Sequence, residues 1–427
     1  MSAKKYKFAV IGLGYVGLPL SMAFAKAGHR VLGVDIDSSK VSKLNQGLSP
    51  ITDISSEDLA SQIKLGNFEV SSDFSKLKDV DAISICVPTP LRKTKEPDIS
   101  YILSATQEIA KVIQKGQLVI LESTTYPGTT REVVLPELEK SGLKVGKDFY
   151  LAFSPERIDP GNRKYTLQNT PKIIGGITSN CTEMALALYG SVLDRVYPVS
   201  SSEVAEMVKL LENTFRAVNI GMVNEMAMMA DRLNLDVWEI IDAASTKPFG
   251  YMPFYPGPGL GGHCIPIDPH YLSWKLKTLN FHPRFIELAQ DINSRMPGLV
   301  VDKIAYALNR FKKPVSGSKV LLLGVSYKKD VGDVRESPAL DIIKLLQDRE
   351  AQVFYEDRYS PHLTHEGLSL ASINWDEAHL GDYDCVVIVT NHAYYDIERI
   401  VSESKILVDC RNATKGLSFD KNKVIKI

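Results

Sequence analysis

The 427-residue sequence has no excess of charge of either sign, no long apolar run and no paired cysteines. Its formal net charge is −1, so neither nucleic acid nor a charged membrane surface is predicted as a partner. No stretch approaches the ~18 apolar residues of a membrane span. The apolar run near residue 10 leads into a glycine motif rather than a signal-peptide cleavage site.

The cysteines are too scattered for a disulfide framework. Cys86, Cys181, Cys264, Cys385 and Cys410 are odd in number and contain no Cys-x-x-Cys pair, which also argues against a zinc site. We therefore predict no metal site and a reducing, cytoplasmic location. Cys264 stands apart from the others, because it lies in the glycine-rich stretch "GLGGHCIPIDP" rather than in an apolar run.

Apolar runs alternate with helical patterns in two separate parts of the chain. "KFAVI", "RVLGVD", "DAISICV" and "QLVILE" indicate buried parallel strands in the first part. "KVLLLG", "AQVFYED", "YDCVVIV" and "KILVDC" repeat the pattern after residue 318. Each part is typical of a doubly wound sheet with helices between the strands.

Between these parts, apolar side chains recur at steps of three and four residues from Val204 to Leu233. The spacing predicts one amphipathic helix over about 200–235, suited equally to a spine joining two domains or to a dimer interface. The predicted fold is therefore α/β, with two Rossmann-like doubly wound domains joined by a long central helix and a helical domain. The predicted bounds are 1–199, 200–310 and 311–427.

The first strand leads into "VIGLGYVG", which places Gly12, Gly14 and Gly17 in G-x-G-x-x-G order. The motif opens a predicted helix, and Asp35 ends the next predicted strand, eighteen residues after Gly17. This context is typical of a dinucleotide site, in which the helix N-terminus receives the pyrophosphate. Asp35 is expected to bind the ribose hydroxyls and repel a 2′-phosphate, so NAD is predicted rather than NADP. A tight turn without a ligand is the alternative.

Polar residues at strand ends and on the long helix are further candidates. Thr89 and Thr124 follow strands, where an open sheet binds ligands, although isolated threonines are often turn residues. Lys209 and Asn213 share one face of the long helix. They indicate either an oxyanion-stabilising pair or a lysine that extends to water. Glu156 in "FSPERIDPG" is either a solvated loop residue or a general base.

Cys264 precedes a helix whose start is predicted by Asp268 and Pro269. Helix N-termini and nearby cations favour thiolate character. The glycines before Cys264 leave room for a ligand to approach, so we predict a reactive thiol. A small, buried and unreactive side chain is the alternative.

Seven stretches in this order make the chain resemble the UDP-glucose/GDP-mannose dehydrogenase family over essentially its whole length. They are "GLGYVG", "VPTP", "EST", "SPE", "VKLLENTFRAVNIGMVNE", "GLGGHC" with "DP", and "YKKDVGDVRESPA". Within the family, "SPERIDPG" and "FYPGPGLGGHCIPIDP" are most similar to the UDP-N-acetylglucosamine 6-dehydrogenases. The resemblance implies a homodimer or higher homo-oligomer that acts on a UDP-sugar in polysaccharide precursor synthesis.

The resemblance also implies a four-electron oxidation that uses two NAD+. The C6 hydroxyl of a UDP-N-acetylhexosamine, above all UDP-GlcNAc, becomes an aldehyde that Cys264 holds as a thiohemiacetal. A second oxidation gives a thioester, and hydrolysis gives the uronic acid. Lys209 and Asn213 would hold the oxyanions, and Glu156 would be the acid or base of the hydrolysis. The implied catalytic residues are Cys264, Lys209, Asn213, Asp268, Glu156 and Thr124.

The predicted ligand contacts extend along the chain, with Arg335 reaching NAD from the C-terminal domain. For NAD they are Gly12, Leu13, Gly14, Tyr15, Val16, Gly17, Asp35, Lys40, Thr89, Thr124 and Arg335. For the UDP-sugar they are Glu156, Arg157, Lys209, Asn213, Tyr255, Pro256, Gly257, Gly259, Gly261, Lys328 and Arg411.

Two positions depart from the UDP-glucose enzymes at the sugar site. Pro160 replaces a second loop glutamate, and the region of Pro248 lacks an arginine contributed across the dimer, so UDP-glucose is the weaker candidate. UDP-GalNAc and UDP-ManNAc stay open. A single-step β-hydroxyacid-type dehydrogenase and a nucleotide-sugar sensor are rivals from other classes, but neither needs Cys264, and the former lacks a second α/β domain.

Overall fold

The computed structural model describes residues 5–51, 54–92, 96–157, 164–262, 264–365 and 367–427, and the elements below are those of these ranges. The chain divides into two compact units. Unit 1 extends to Glu212 and includes His270–Phe281. Unit 2 comprises Asn213–Pro269 and His282–Ile427.

A single eight-stranded sheet forms the centre of unit 1. Its strands are β1 (Lys7–Ile11), β2 (Arg30–Val34), β3 (Phe68–Ser71), β4 (Ala82–Ile85), β5 (Leu118–Leu121), β6 (Tyr150–Phe153), β7 (Lys172–Gly176) and β8 (Val196–Pro198). Their order is β3-β2-β1-β4-β5-β6-β7-β8, and neighbours are parallel except β6 and β7. The central strands β4 and β5 are buried along their whole length, as predicted from their apolar runs.

Helices cover both faces of this sheet, because successive strand residues point to opposite faces and both faces are apolar. The helices are α1 (Gly17–Lys26), α2 (Ser38–Asn45), α3 (Ser56–Lys64), α4 (Ser100–Val112), α5 (Leu135–Glu139) and α6 (Ser179–Tyr189). Side chains of α1 and α6 pack in one core with Phe8 and Val10 of β1. Those of α4 and α5 pack in a second core with Ala9 and Ile11. The doubly wound arrangement is therefore confirmed.

The predicted long helix is α7 (Ser202–Arg232), 31 residues in length, and it passes from unit 1 into unit 2 at Glu212. Its buried face differs from the predicted apolar seam. Most of the large apolar residues on the seam are exposed, namely Val204, Met207, Leu211, Phe215, Met222, Met226, Met229 and Leu233. Most of the buried residues are smaller or polar, among them Ala205, Glu206, Lys209, Asn213, Ala217 and Asn224, although Leu210 is also buried. The seam is therefore a surface of the single chain.

Unit 2 contains a parallel sheet with order β10-β9-β13-β14-β15 and a separate antiparallel pair, β11 and β12. The strands are β9 (Lys319–Leu323), β10 (Gln352–Glu356), β11 (His362–His365), β12 (Leu368–Ala371), β13 (Cys385–Ile388), β14 (Leu407–Asp409) and β15 (Val424–Lys426). The helices after α7 are α8 (Val237–Ala244), α9 (Asp268–Lys277), α10 (Arg284–Arg310), α11 (Pro338–Asp348) and α12 (Ile397–Glu403). Helices α10 and α11 pack on one face of the sheet, and α12 packs on the other. The second predicted α/β sheet is thus confirmed.

All five cysteines are free thiols. None of the helices in the described ranges is both long and apolar enough to cross a membrane. The described residues contain no group of three or more His, Cys, Asp or Glu side chains placed to hold a metal ion.

Candidate functional site

Gly12, Gly14 and Gly17 lie between β1 and the first turn of α1, and each is glycine for a different reason. Gly12 has a φ of +91°, and a Cβ there would lie 2.6 Å from the carbonyl oxygen of Cys86. A Cβ on Gly17 would overlap the carbonyl oxygen of Gly12. A Cβ on Gly14 would meet no heavy atom within 4 Å. The backbone at Gly14 therefore faces open space beside a helix N-terminus, as a pyrophosphate site requires.

Asp35 follows β2, and its carboxylate is held against the glycine loop. Oδ2 accepts a 2.9 Å hydrogen bond from the backbone N–H of Leu13 and a 2.8 Å bond from Nζ of Lys40. Oδ1 accepts a 3.0 Å bond from the N–H of Asp37. The Lys40 ammonium offsets part of the negative charge of Asp35. The repulsion of a 2′-phosphate is therefore weaker than an unpaired carboxylate would exert.

The other predicted cofactor residues of unit 1 surround this loop. Leu13 is buried, Val16 is half-buried and Tyr15 is exposed. Thr89 and Thr124 lie half-buried in the loops that follow the neighbouring strands β4 and β5. Those two loops are joined by a 2.8 Å hydrogen bond from Oγ of Ser123 to the carbonyl oxygen of Val87. The structure therefore brings the two loops together at the carboxyl edge of the sheet.

Glu156 and Lys209 are in direct contact within unit 1. Nζ of Lys209 donates a 2.6 Å hydrogen bond to the backbone carbonyl oxygen of Glu156. Both residues are buried, so Lys209 does not extend to water and Glu156 is not a solvated loop residue. Arg157 forms an ion pair with Glu212 at 2.6 Å and donates a 2.6 Å bond to the carbonyl oxygen of Pro171.

Asn213 and Asp268 form a second buried pair, in unit 2. Nδ2 of Asn213 donates a hydrogen bond to Oδ2 of Asp268, and Oδ1 of Asn213 accepts one from Arg216. Both partners are almost fully buried. Helix α9 begins at Asp268 itself, rather than at the following proline. A shift of one residue lies within the ordinary uncertainty of a helix boundary.

Cys264 lies in the turn that leads into α9. Its carbonyl oxygen accepts hydrogen bonds from the N–H groups of Ile267, at 3.1 Å, and Asp268, at 2.8 Å. Its side chain is partly exposed, whereas the other four cysteines are buried. The thiol is therefore accessible and its backbone is fixed, which are two requirements of a nucleophilic cysteine.

The predicted substrate loop, Tyr255–Gly261, is tied to unit 2 through Gly257. The N–H of Gly257 donates a 3.0 Å hydrogen bond to Oδ1 of Asn224. Asn224 in turn donates a 2.8 Å bond to Oδ1 of Asn293. A Cβ on Gly257 would lie 2.7 Å from Nη1 of Arg411, so the loop passes directly beside a predicted substrate residue. Asn224 and Asn293 were not predicted as site residues.

The remaining loop positions are also constrained within unit 2. The ring of Tyr255 stacks on that of Trp238 with centroids 5.9 Å apart, and Pro256 is buried. Gly259 has a φ of +140°, a value that favours glycine. A Cβ on Gly261 would lie 2.6 Å from Cβ of Tyr327. These contacts give the loop one defined path.

The predicted residues of the C-terminal sheet lie in two loops, one after β9 and one after β14. Lys328 is half-buried after β9. Arg335 pairs with Asp333 at 2.6 Å, and its carbonyl oxygen accepts a 3.1 Å bond from the N–H of Gly262. Nε of Arg411 donates a 2.7 Å bond to the carbonyl oxygen of Val389. Of the two positions that depart from the UDP-glucose enzymes, Pro248 is exposed and Pro160 lies outside the described residues.

Asp357 follows β10 as Asp35 follows β2, but its carboxylate is differently occupied. Oδ2 accepts bonds from the N–H groups of Val325, at 2.9 Å, and Ser326, at 2.8 Å, and it lies 3.1 Å from Nε2 of His392. Burial alone would raise the pKa of Asp357, but the bonds from His392 and Ser326 lower it below its ordinary value. This fully buried acid therefore holds its own loop, in contrast to the partly accessible Asp35–Lys40 pair.

Three family models match the chain in sequence order. The UDP-glucose/GDP-mannose dehydrogenase family is matched by its NAD binding domain over residues 6–193, its central domain over 203–295 and its UDP binding domain over 321–416. A UDP-N-acetyl-D-glucosamine 6-dehydrogenase of Pseudomonas aeruginosa is 33% identical over 422 residues, which cover 94% of this chain and 99% of that protein. The chain belongs to the UDP-glucose/GDP-mannose dehydrogenase family. It is an NAD-dependent nucleotide-sugar 6-dehydrogenase.

Solved structures of this family are similar along the full length of the chain. That of a UDP-D-ManNAc dehydrogenase from Pyrococcus horikoshii is 35% identical with a TM-score of 0.89 and covers 99% of both chains. That of an NDP-N-acetyl-D-galactosaminuronic acid dehydrogenase from Methanosarcina mazei is 30% identical with a TM-score of 0.84, covering 99% of this chain and 94% of the other. Members with different sugars are therefore about equally similar to this chain.

For this dehydrogenase, the sequence interpretation missed a buried lysine. Nζ of Lys172 lies 2.5 Å from Oε2 of Glu122 and 3.1 Å from Oε2 of Glu156. Lys172 is the first residue of β7, and Glu122 directly follows β5. Lys172 and Glu122 could have been recognised in the sequence as charged residues next to wholly apolar strands. Such a position indicates an ion pair, because charged groups stay in a core only when they are paired.

Proposed function

We propose that this enzyme oxidises the C6 hydroxyl of a UDP-N-acetylhexosamine, with UDP-GlcNAc as the first candidate, to the uronic acid. One sugar, two NAD+ and one water would give one uronate, two NADH and three protons. We place the reaction in polysaccharide precursor synthesis in the cytoplasm, where the five free thiols would stay reduced. The main support for this proposal is Cys264, whose side chain is partly exposed and whose backbone is held in a hydrogen-bonded turn.

Cys264 would hold the sugar between the two oxidations. Its sulfur adds to the C6 aldehyde carbon to form a C–S bond, and the carbonyl oxygen takes a proton, which gives a thiohemiacetal. The glycine loop and Asp35 would hold NAD+, which would supply the hydride acceptor for each oxidation. The aldehyde is then never released, which explains why a thiol is needed for two oxidations and not for one.

The buried pairs Lys209–Glu156 and Asn213–Asp268 would stabilise the oxyanions and carry out the proton transfers of the reaction. An ammonium has three N–H donors, and Lys209 uses one of them on the Glu156 carbonyl oxygen. Asn213 likewise uses one of its two amide hydrogens on Asp268. The other donors are suited to an oxyanion on C6. We assign Asp268 to proton transfer, Glu156 to the hydrolysis, and Thr124 to orienting the water.

UDP-ManNAc is the second candidate substrate, because the Pyrococcus horikoshii structure with that sugar in its name has a TM-score of 0.89. The test is a panel of UDP-GlcNAc, UDP-ManNAc, UDP-GalNAc and UDP-glucose at saturating NAD+, with kcat/KM and NADH per sugar as readouts. We expect UDP-GlcNAc to give the highest kcat/KM and two NADH per sugar. A UDP-glucose kcat/KM equal to or above that of UDP-GlcNAc contradicts the assignment.

We also propose that residues 1–199 bind NAD, residues 311–427 bind the UDP-sugar, and residues 200–310 form a homodimer interface. The support for a dimer is the exposed apolar side of α7, which includes Phe215, Met222 and Met226. Clusters of large exposed apolar residues mark interaction surfaces.

Light scattering of Met226→Glu tests this assignment. The variant should be monomeric, whereas Leu65→Glu, which changes an exposed residue of unit 1, should stay dimeric. A dimeric Met226→Glu variant contradicts the interface assignment.

A further inference from the structure

Lys172, Glu122 and Glu156 form a charged cluster that is buried in unit 1, and only Glu156 has a role in the reaction proposed above. Lys172 and Glu122 are 3% and 0% exposed, so their ion pair is shielded from water. Oε1 of Glu122 also accepts a 2.8 Å bond from Oγ of Ser84 and a bond from the hydroxyl of Tyr189. Burial is the larger cause and the neighbouring Glu122 the next cause of a raised pKa of Tyr189, so this hydroxyl stays protonated and acts as a donor.

The cluster is costly to keep in a core. Two carboxylates and one ammonium leave one net negative charge, and buried ion pairs are often no more stabilising than apolar residues of the same size. Burial alone would lower the pKa of Lys172, but Glu122 and Glu156 raise it above its ordinary value. Lys172 is therefore charged. Strongly perturbed and specifically paired groups of this kind concentrate at functional sites.

The two carboxylates differ in what surrounds them. Glu122 is anchored by Ser84 and Tyr189, in addition to Lys172. The carboxylate of Glu156 accepts from Nζ of Lys172 through Oε2, at 3.1 Å, and from the N–H of Arg157 through Oε1, at 2.6 Å. Lys172 thus joins a carboxylate fixed in the core to the carboxylate that we assign to the hydrolysis.

We propose that Lys172 is a positioning residue for the hydrolytic half of the reaction, and this rests on the proposed function. Anchored by Glu122, it holds the Glu156 carboxylate in one orientation.

The step that depends on this orientation is the cleavage of the thioester. The water oxygen bonds to the carbonyl carbon, its proton passes to the Glu156 carboxylate, and the C–S bond breaks. The sulfur leaves as the Cys264 thiolate, and the sugar leaves as the carboxylic acid, which then ionises. Neither hydride removal needs this base, so loss of Lys172 should slow the hydrolysis selectively.

Three variants test the proposal at saturating NAD+ and UDP-GlcNAc. Lys172→Met removes the cation. Lys172→Met with Glu122→Gln removes it while keeping the net charge of the cluster, so it guards against simple misfolding. Lys172→Arg keeps the cation. The control is Lys26→Met, which removes the ammonium of the exposed Lys26–Asp58 pair and should leave turnover unchanged.

In the double variant, kcat should fall about 10- to 100-fold, as expected for a misplaced general base. KM for the sugar and for NAD+ should change less than about 2-fold. The first two NADH per site should still form as a burst, and quenched samples should carry a uronyl thioester on Cys264 by intact mass. Lys172→Arg should restore at least half of kcat.

If burst amplitude and kcat fall together and no adduct accumulates, Lys172 has only a structural role and the inference is wrong. An unchanged kcat in the double variant also overturns it. If wild-type enzyme itself forms a single NADH per sugar and no uronate, the proposed function fails instead. The two failures are therefore distinguishable in one experiment.

Discussion

Glu206 on α7 should make folding stability depend on pH near neutrality. The residue is fully buried. Its carboxylate accepts bonds from the N–H of Gly128, at 2.6 Å, and from the N–H and hydroxyl of Thr130, at 2.8 and 2.6 Å. Burial raises the pKa of Glu206 to about 7, although these hydrogen bonds lower it. We expect the carboxyl group to be partly protonated in the folded chain at neutral pH.

The sign of the effect follows from the two pKa values. The folded value of about 7 lies above the ordinary value of 4.5, so the folded chain binds more protons between these pH values. The stabilisation is present in full below pH 4.5 and is lost as the pH rises through 7. The difference between the two pKa values corresponds to about 3 kcal/mol in the free energy of unfolding.

Urea unfolding of wild type and Glu206→Gln between pH 5 and 8 measures this contribution. Gln is neutral throughout, so wild type should lose about 2–3 kcal/mol relative to the variant across this range. Glu203→Gln is the matched control, because Arg131 and other donors outweigh burial and hold the pKa of Glu203 at about 2, below the titrated range. A wild-type-minus-Glu206→Gln difference that stays constant from pH 5 to 8 would refute the reasoning.

Two further predictions concern the cofactor site. Gly17→Ala should destabilise the chain by at least about 2 kcal/mol, because its Cβ overlaps the carbonyl oxygen of Gly12. Gly14→Ala should keep the wild-type Tm and weaken NAD+ binding; equal Tm losses in thermal unfolding of the two variants contradict this. Wild type should prefer NAD+ over NADP+ by at least about 10-fold in kcat/KM. Asp35→Ala should narrow that gap, mainly by raising KM for NAD+, because the carboxylate expected to bind the ribose hydroxyls is lost. Equal kcat/KM for the two cofactors in wild type contradicts the assignment.

Local sequence patterns were sufficient to predict the two sheets, the long helix and the glycine loop. The apolar runs "LVIL" and "CVVI" became fully buried strands, because parallel strands are covered on both faces. The predicted helix over 200–235 is observed over Ser202–Arg232. The separate reasons for Gly12, Gly14 and Gly17 also agree with the motif.

Sequence periodicity could not show what covers the apolar seam of α7. Apolar residues at steps of three and four establish that the helix has an apolar face. They do not show whether the same chain or a partner buries that face. In this chain Leu211, Met222 and Met229 are exposed. The buried face instead carries Lys209 and Asn213, for which the sequence had left open an oxyanion-stabilising pair or a lysine that extends to water.

The Lys172 cluster could not be predicted from local sequence patterns, for a different reason. Glu122 and Lys172 are fifty residues apart, and the ion pair forms because β5, β6 and β7 are successive strands of one sheet. Strand order is a property of the whole chain. A single charged residue beside an apolar strand indicates that an oppositely charged partner exists, but the sequence does not show which residue that partner is.

The most direct test of the account is the product and NADH stoichiometry of Cys264→Ala at saturating NAD+ and UDP-GlcNAc. Wild type should form two NADH per uronate without releasing aldehyde. The variant should still bind NAD+ and UDP-GlcNAc, since the backbone of both loops is unchanged. It should form uronate several orders of magnitude more slowly, because the covalent nucleophile is absent. A Cys264→Ala enzyme that makes uronate with two NADH at close to the wild-type rate would contradict the covalent mechanism.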